Sequence, residues 1–351
     1  MAGQQSALYV QTVGSVEAFL QARIEQRVHE AKVVHARYEK LWKHIQDAVM
    51  LGGKRFRPYL VMVGYGGFSE RLVPIAAAQE LMHAAMLIHD DIIDGDTMRR
   101  GHKNIQGTYT EQYAPALPMD RAVGYAKSAA LLGGDALVSE AFACIAAAEF
   151  NTVTKNLLTR RMHQSVFEVI GGELMDIEAG FMNDDTYDPL TMYRYKTAGY
   201  SFIGPLLSGA VCAGLADSEM KLLTELGEQA GTAFQLQDDL FGIFGEATEH
   251  GKSVLLDLRE GKRTYVIAVH AKLAHAKHRT RMAKSFGNIH ASNEDLRALR
   301  HDIEESGARA ETERMIEHCY EQCLQSVSFL RGDLQRAELS TFIQSLKKRT
   351  K

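Results

Sequence analysis

The chain has 351 residues, with 40 lysines and arginines against 44 aspartates and glutamates and a formal net charge of −4, room for one large domain or two ordinary ones. No global basic surface offers itself to nucleic acid or to an anionic membrane, so any anion site must be built locally. The four cysteines Cys144, Cys212, Cys319 and Cys323 follow no CxxC spacing, no basic-then-apolar leader opens the chain, and no charge-free apolar stretch reaches transmembrane length; together these predict a reduced, cytoplasmic protein without a transmembrane segment.

In chain order, the polar opening "MAGQQSALYVQTVGS" marks residues 1–20 as a segment that is either flexible or a dimer cap. Residues 21–351 read as a single domain, because no Pro- or Ser-rich linker divides them and no short repeat is visible. "GGKRFRP" places Lys54, Arg55 and Arg57 behind two glycines that let backbone approach an anion closely. "LVPIAAAQELMHAAMLIHD" has apolar residues at helical spacing and runs into "HDDIIDGD", four aspartates within eight residues. On a helix Asp90 and Asp94 stand one turn apart with Asp91 beside them, so they either share protons or neutralise themselves on a cation.

"TMRRGH" then supplies Arg99 and Arg100, "YAPALPMD" reads as a loop, and "KSAALLGGDALVSEAFACIAAAEF" is again helical. "YKTAG" brings Lys196 and Thr197, and "AFQLQDDLFGIFG" brings a second aspartate pair, Asp238 and Asp239, almost 150 residues after the first. "GEATEHGKSVLLDLREGKRT" reads as a loop carrying Lys252, Lys262 and Arg263. "HAKLAHAKHRTRMAKSFGNIH" gathers histidines and basic residues; a solvated helix and loop is the plain reading, a partner or membrane site the alternative. "SNEDL" starts a helix with Ser292 as N-cap, which "ESGAR" ends at Gly307. The terminal "LKKRTK" either closes over a site or frays. No proline follows Pro205 and no alternating strand pattern appears, so the fold class is all-α, with many helices and short connections.

One acidic pair usually means a solvated helix end. Two pairs, each fused to apolar sequence and each followed by basic residues, point to Mg²⁺, a hard cation that binds one or two carboxylates and takes further ligands from phosphate. Arginine forks and lysines supply the phosphate contacts. The ligand so described is polyanionic and chelated by metal. GxxxxGK[ST], GxSxG and HExxH are all absent, which leaves nucleotide kinase, acyl-transfer and zinc chemistry without support.

"GGKRFRP", "LMHAAMLIHDDIID" with "RRG" after it, "LLGGDALVSEAF", "GGELMDIE", "YKTAGYSF", "FQLQDDL" and "DLREGKRT" come in the order and approximate spacing of the trans-polyprenyl diphosphate synthases, the polyprenyl synthetase family, which the chain resembles from about Ala48 to Tyr265. The resemblance implies an isoprenoid-synthase type helical bundle around a central active-site cavity, a homodimer, and three Mg²⁺ ions per site. It implies head-to-tail (1'-4) condensation of isopentenyl diphosphate with an allylic diphosphate (dimethylallyl, geranyl or farnesyl) by ionisation, condensation and elimination. Asp90, Asp91 and Asp94 would hold two ions and Asp238 the third, with Asp239 and Asp257 binding it or ordering its waters. Arg99, Lys196, Thr197, Gln235 and Lys252 would grip the allylic diphosphate; Lys54, Arg57, His83 and Arg100 would grip isopentenyl diphosphate. Asp176 aligns with a further aspartate near the metals.

Three positions depart from the family pattern: Gly242 stands where many relatives have a third aspartate, Glu173 replaces a glutamine, and Leu255 replaces a glycine. Bulky aromatics four or five residues before the first aspartate stop the product early in this family. Met86 and Ala85 stand there in this chain, which predicts a product longer than farnesyl, geranylgeranyl diphosphate. A class I terpene cyclase would not need "GGKRFRP", and a non-catalytic subunit would lack aspartates that this chain keeps.

Overall fold

The helix that ends in the first aspartate cluster, Val73–Asp94, organises the first half of the chain. Pro74 sits in its first turn, where the missing N–H costs nothing, and Gly95 at φ 71° stops it by returning its N–H to the Asp91 carbonyl. The computed structural model describes residues 6–181, 188–245 and 255–349. In chain order these form α1 (Ala7–Val34), α2 (Ala36–Met50), α3 (Phe56–Tyr65), α4 (Val73–Asp94), a two-strand hairpin β1 (Met98–Arg99) and β2 (His102–Lys103), α5 (Ile105–Tyr113), α6 (Met119–Ala147), α7 (Thr152–Phe181) and α8 (Pro189–Tyr193). A π-helical stretch, Arg194–Ile203, leads into α9 (Gly204–Ala213), followed by α10 (Asp217–Phe244), α11 (Leu256–Glu260), α12 (Tyr265–Leu273), α13 (Ala276–Ser285), α14 (Asn293–Glu305), α15 (Ala308–Ser328) and α16 (Asp333–Lys347). The all-α expectation holds.

Contacts divide the described residues into two units: 6–162 together with Pro205–Leu215, and His163–Gly204 together with those from Ala216 onward. In the first, α4 lies along α6, and α1, α3 and α5 pack around them. In the second, α10 is central, flanked by α15 and by the π-helical stretch. α4 is apolar over most of its length, the pattern of a buried helix, whereas α10 buries one apolar stripe and leaves Lys221 and Glu225 exposed.

Residues 7–20, within the opening segment read as flexible or as a dimer cap, are helical, with Leu8, Thr12, Val16 and Leu20 buried at four-residue spacing. Strands were not expected. The hairpin exists because Arg100 (φ 52°) and Gly101 (φ 79°) make a two-residue turn of the primed type, and two-residue strands carry no periodicity to read. Inside the predicted loop after Gly245, α11 forms a short helix at "LDLRE". Ser292 caps α14 as read, accepting from Asp295 N–H at 3.1 Å, and Gly307 follows in the left-handed conformation. Among the described residues two helices, Glu70–Asp94 and Met119–Ala147, are long and apolar enough to cross a membrane by length and composition; 67% of the first one's apolar window and 44% of the second's are buried inside the protein.

Helices α3 and α9 meet backbone to backbone within the first unit. A Cβ on Gly64 would stand 2.1 Å from the Leu206 carbonyl oxygen, and one on Gly209 would stand 2.0 Å from that of Val61. Gly64→Ala is therefore expected to destabilise the protein by about 2–3 kcal/mol through overpacking, read as a lower urea midpoint. An unchanged midpoint would mean that the helices are not held this close.

Candidate active site

The first aspartate cluster belongs to the first unit. Asp91 is buried, and Asp90 lies beside it at the end of α4. The hairpin turns Arg99 back onto both: Nη2 donates to Asp91 Oδ1 at 2.6 Å and to Asp90 Oδ2 at 3.1 Å, and Nε adds a bond to Asp91 Oδ1 at 2.9 Å. Burial pushes the Asp91 carboxyl above its ordinary range, while the bonds from Arg99 pull it back. Asp94 is exposed one turn on. The tight αL stop at Gly95 and the two-residue turn are what allow an arginine eight residues away to reach the helix it has just left.

A cavity of about 530 Å³ opens beside this cluster, and Asp91, Arg99, Arg100, His83 and Gly52 all line it. Its electrostatics suit an anion. His83 is held well below its ordinary value, by burial first and then by Arg57, Arg100, Arg99 and Arg55, so it is neutral at pH 7 and leaves the positive charge to the guanidinium groups. Arg100 donates to the Gly52 carbonyl, and its guanidinium nitrogens stand 3.2 Å from where a Cβ on Gly53 would be. That contact explains the second glycine, whose missing side chain leaves room for the arginine, while Gly52 is required by its φ of 89°.

Of the four residues assigned to isopentenyl diphosphate, His83 and Arg100 line the cavity, Arg57 is buried with its guanidinium 4.6 Å from the Phe56 ring, and Lys54 is exposed. Arg55, in the same motif, turns inward at φ 42°. It donates to Glu80 Oε1 at 2.7 Å and to the Val49 carbonyl at 2.8 Å, anchoring the loop while its side chain lines the same cavity. Ala85 is fully buried one turn before His89, whose ring lies where a Cβ on Gly134 of α6 would be, whereas Met86 is half-buried one turn before Asp90. The two chain-length candidates thus lie on different stripes of α4.

The second cluster belongs to the other unit. Asp239 of α10 is buried, and both its oxygens are engaged: Tyr193 O–H donates to Oδ2, and Gln235 Nε2 donates to Oδ1 at 3.0 Å. Thr197 in turn donates to Gln235 Oε1 at 2.8 Å, and Tyr193 Oη accepts from the Tyr265 N–H at 2.7 Å. The Asp239 carboxyl is pushed up to about 7, first by burial and then by Asp257 and Asp238, against its hydrogen bonds. Asp238 is the more exposed of the pair and is 2.7 Å from Arg349 Nη2, whose guanidinium lies 4.4 Å from the Phe234 ring. Lys196 Nζ contacts Asp176 Oδ2 at 2.5 Å and Glu173 Oε2 at 3.0 Å. Gly172 permits this, since a Cβ there would stand 2.3 Å from the Lys196 backbone nitrogen. Lys252 lies outside the described residues.

Gly242 has a geometric explanation. A Cβ on it would stand 1.8 Å from Asp257 Oδ2, so Asp257 of α11 fills the place that a side chain at 242 would take. The carboxylate reaches the second cluster from a different segment. Sequence reasoning missed Tyr193, which has no motif of its own and is identified only by its two partners, and it left the role of the basic tail open where Arg349 makes its ion pair. Tyr193→Phe should cost about 1–3 kcal/mol, because Asp239 loses a buried donor and the Tyr265 N–H an acceptor; thermal denaturation reads this, and an unshifted midpoint would contradict it.

Both clusters present carboxylate oxygens without histidine or cysteine, and in each an arginine sits on the carboxylates. This donor set fits a hard divalent cation such as Mg²⁺. The polyprenyl synthetase family model matches residues 38–303. A short chain isoprenyl diphosphate synthase from Methanocaldococcus jannaschii is 32% identical over 288 residues, 81% of this chain and 82% of that protein. A geranylfarnesyl diphosphate synthase from Aeropyrum pernix is 32% identical over 275 residues, covering 74% and 78%. Among solved structures, the geranylgeranyl pyrophosphate synthase of Corynebacterium glutamicum, complexed with isoprenyl diphosphate and magnesium, superimposes with a TM-score of 0.86 at 27% identity over 95% of this chain and 98% of that one. With its sequence motifs, its all-helical fold and both aspartate clusters in place, the chain belongs to the polyprenyl synthetase family.

Proposed function

We propose that the protein is a Mg²⁺-dependent prenyl diphosphate synthase that joins isopentenyl diphosphate to an allylic diphosphate head to tail and makes geranylgeranyl diphosphate. The observation that carries this reading is the cavity of the first unit, where Arg55, Arg100 and neutral His83 line the same space as Asp91 and Arg99. An enzyme that only ionises an allylic diphosphate needs no such neighbouring anion site. Asp90, Asp91 and Asp94 of the first cluster and Asp238 of the second would hold Mg²⁺, which would supply positive charge for the departing diphosphate.

The chain's own residues do the rest. Arg99, Lys196, Thr197 and Gln235 orient the allylic diphosphate so that its C–O bond ionises, and His83, Arg100, Arg57 and Lys54 hold the isopentenyl double bond ready to attack the carbocation. A C–C bond forms, one proton leaves, and the released diphosphate accepts it. The apolar positions beside the aspartates, such as Ile88, keep water from quenching the cation.

A C20 product is supported by the absence of an aromatic at Ala85 and Met86, with relatives named for short-chain, C20 and C25 products bracketing it. Incubation with Mg²⁺, labelled isopentenyl diphosphate and, separately, dimethylallyl, geranyl or farnesyl diphosphate should yield C20 from each primer. Termination at C15, or runs past C25, would refute the assigned length. Glu173 pairs with Lys196 where a glutamine would not. Glu173→Gln should therefore lower the KM for the allylic primer by roughly 3–10-fold, the scale of one released ion pair; a raised KM would show that Glu173 helps hold the substrate.

A homodimer is supported by Tyr125, Leu131 and Leu132, exposed together on α6, and light scattering of the purified protein tests it. The four cysteines are free, in keeping with a reducing cytoplasm.

A further inference from the structure

The histidine-rich stretch that the reaction does not use brings His278 of α13 against Asp302 and Glu305 of α14. One ligand atom from each of the three residues lies within 4.8 Å of the others. His278 Nε2 is 3.6 Å from Asp302 Oδ1 and 3.5 Å from Glu305 Oε2. These separations are too long for good N–H···O hydrogen bonds. The His278–Glu305 separation matches the spacing of about 3.3–3.6 Å between two ligands that each sit about 2.0–2.2 Å from a shared tetrahedral ion.

Asp302 is 2% exposed, and its Oδ2 is buried with no hydrogen-bond partner among the described residues. A carboxylate so placed lacks the satisfaction that burial normally demands. Its other oxygen accepts from Arg281 Nη1 at 2.6 Å, an outer contact of the kind that fixes a metal-ligating carboxylate. Glu305 is half exposed and gives access from solvent, so that water can complete the coordination.

We propose that His278, Asp302 and Glu305 form a second metal site, separate in kind from the aspartate clusters, that takes a borderline divalent ion such as Zn²⁺ or Co²⁺ and pins α13 to α14. An imidazole with two carboxylates suits these ions, whereas all-carboxylate clusters suit Mg²⁺.

The full-length protein, without a histidine tag and with excess Mg²⁺ occupying the hard sites, is titrated with CoCl₂ and followed by visible absorption. One equivalent of Co²⁺ should produce d–d bands that Zn²⁺ then abolishes, with an accompanying rise in Tm. His278→Ala and Glu305→Gln should each weaken binding by at least about 100-fold, a ligand loss being no milder than loss of an outer contact. Asp238→Asn should leave the bands intact. Because Glu305 is half exposed, Glu305→Gln keeps the test open even where His278→Ala fails to fold. Absence of the bands, their survival in Glu305→Gln, or their loss in Asp238→Asn would overturn the proposal.

Discussion

Asp91→Ala is expected to lower the rate of condensation by roughly 10³-fold, about 4 kcal/mol on the barrier, with the helical content unchanged. Two losses combine. The variant removes a carboxylate from the cluster that would hold Mg²⁺, and it strips Arg99 of its shortest hydrogen bond in that cluster, the 2.6 Å contact to Oδ1. The freed guanidinium would then tilt toward Asp90, and the wall of the cavity that both residues line would shift. Asp91→Asn separates the two effects, since an amide oxygen still accepts from Arg99 but carries no charge. It should retain the geometry and lose nearly as much activity. Steady-state kinetics against Mg²⁺ concentration would show this, and a fall of less than tenfold in both variants would remove Asp91 from the reaction.

Met86→Ala should lengthen the product to C25 or beyond, and Met86→Tyr should shorten it to C15, both read by chromatography after dephosphorylation. The reason is geometric. Met86 lies one helical turn before Asp90 on the same stripe of α4, and a turn rises about 5.4 Å, comparable with one extended isoprene unit. Its flexible thioether yields to a growing chain more readily than an aromatic ring would. Ala85 is a different matter. It is fully buried on the stripe that carries His89 toward Gly134 of α6, so Ala85→Phe would overpack that contact and test stability before specificity. An unchanged product from both Met86 variants would exclude this side chain from length control.

What the sequence could show and what it could not divide by range. Asp90, Asp91, Asp94, Asp238 and Asp239 were visible because acidic pairs break apolar helical patterns, a signal contained in a few residues. Ser292 as an N-cap was visible for the same reason, and the all-α class was visible from the lack of proline after Pro205 and of any alternating strand pattern. Arg55 looked like its neighbours Lys54 and Arg57, and only the long-range contact with Glu80, 25 residues away, shows that it is an internal anchor. The Gly242 departure read as a missing ligand, yet the space it leaves is taken by Asp257, a pairing no local pattern could reveal. Tyr193 is one of 13 tyrosines in the sequence and is singled out only by its contacts with Asp239 and the Tyr265 N–H. The paired glycines at 171 and 172 carried a family signature, but the reason for the second is the passage of the Lys196 backbone beside it.

The central claim is that the anion site beside Asp91 serves a second diphosphate in the same reaction. The rate of diphosphate release from farnesyl diphosphate in Mg²⁺, measured with and without isopentenyl diphosphate, tests it directly. Release that depends on isopentenyl diphosphate, one diphosphate for each new C–C bond and abolished by EDTA, is the predicted result. Equal release in the absence of isopentenyl diphosphate, with alcohols or cyclic hydrocarbons as products, would contradict it.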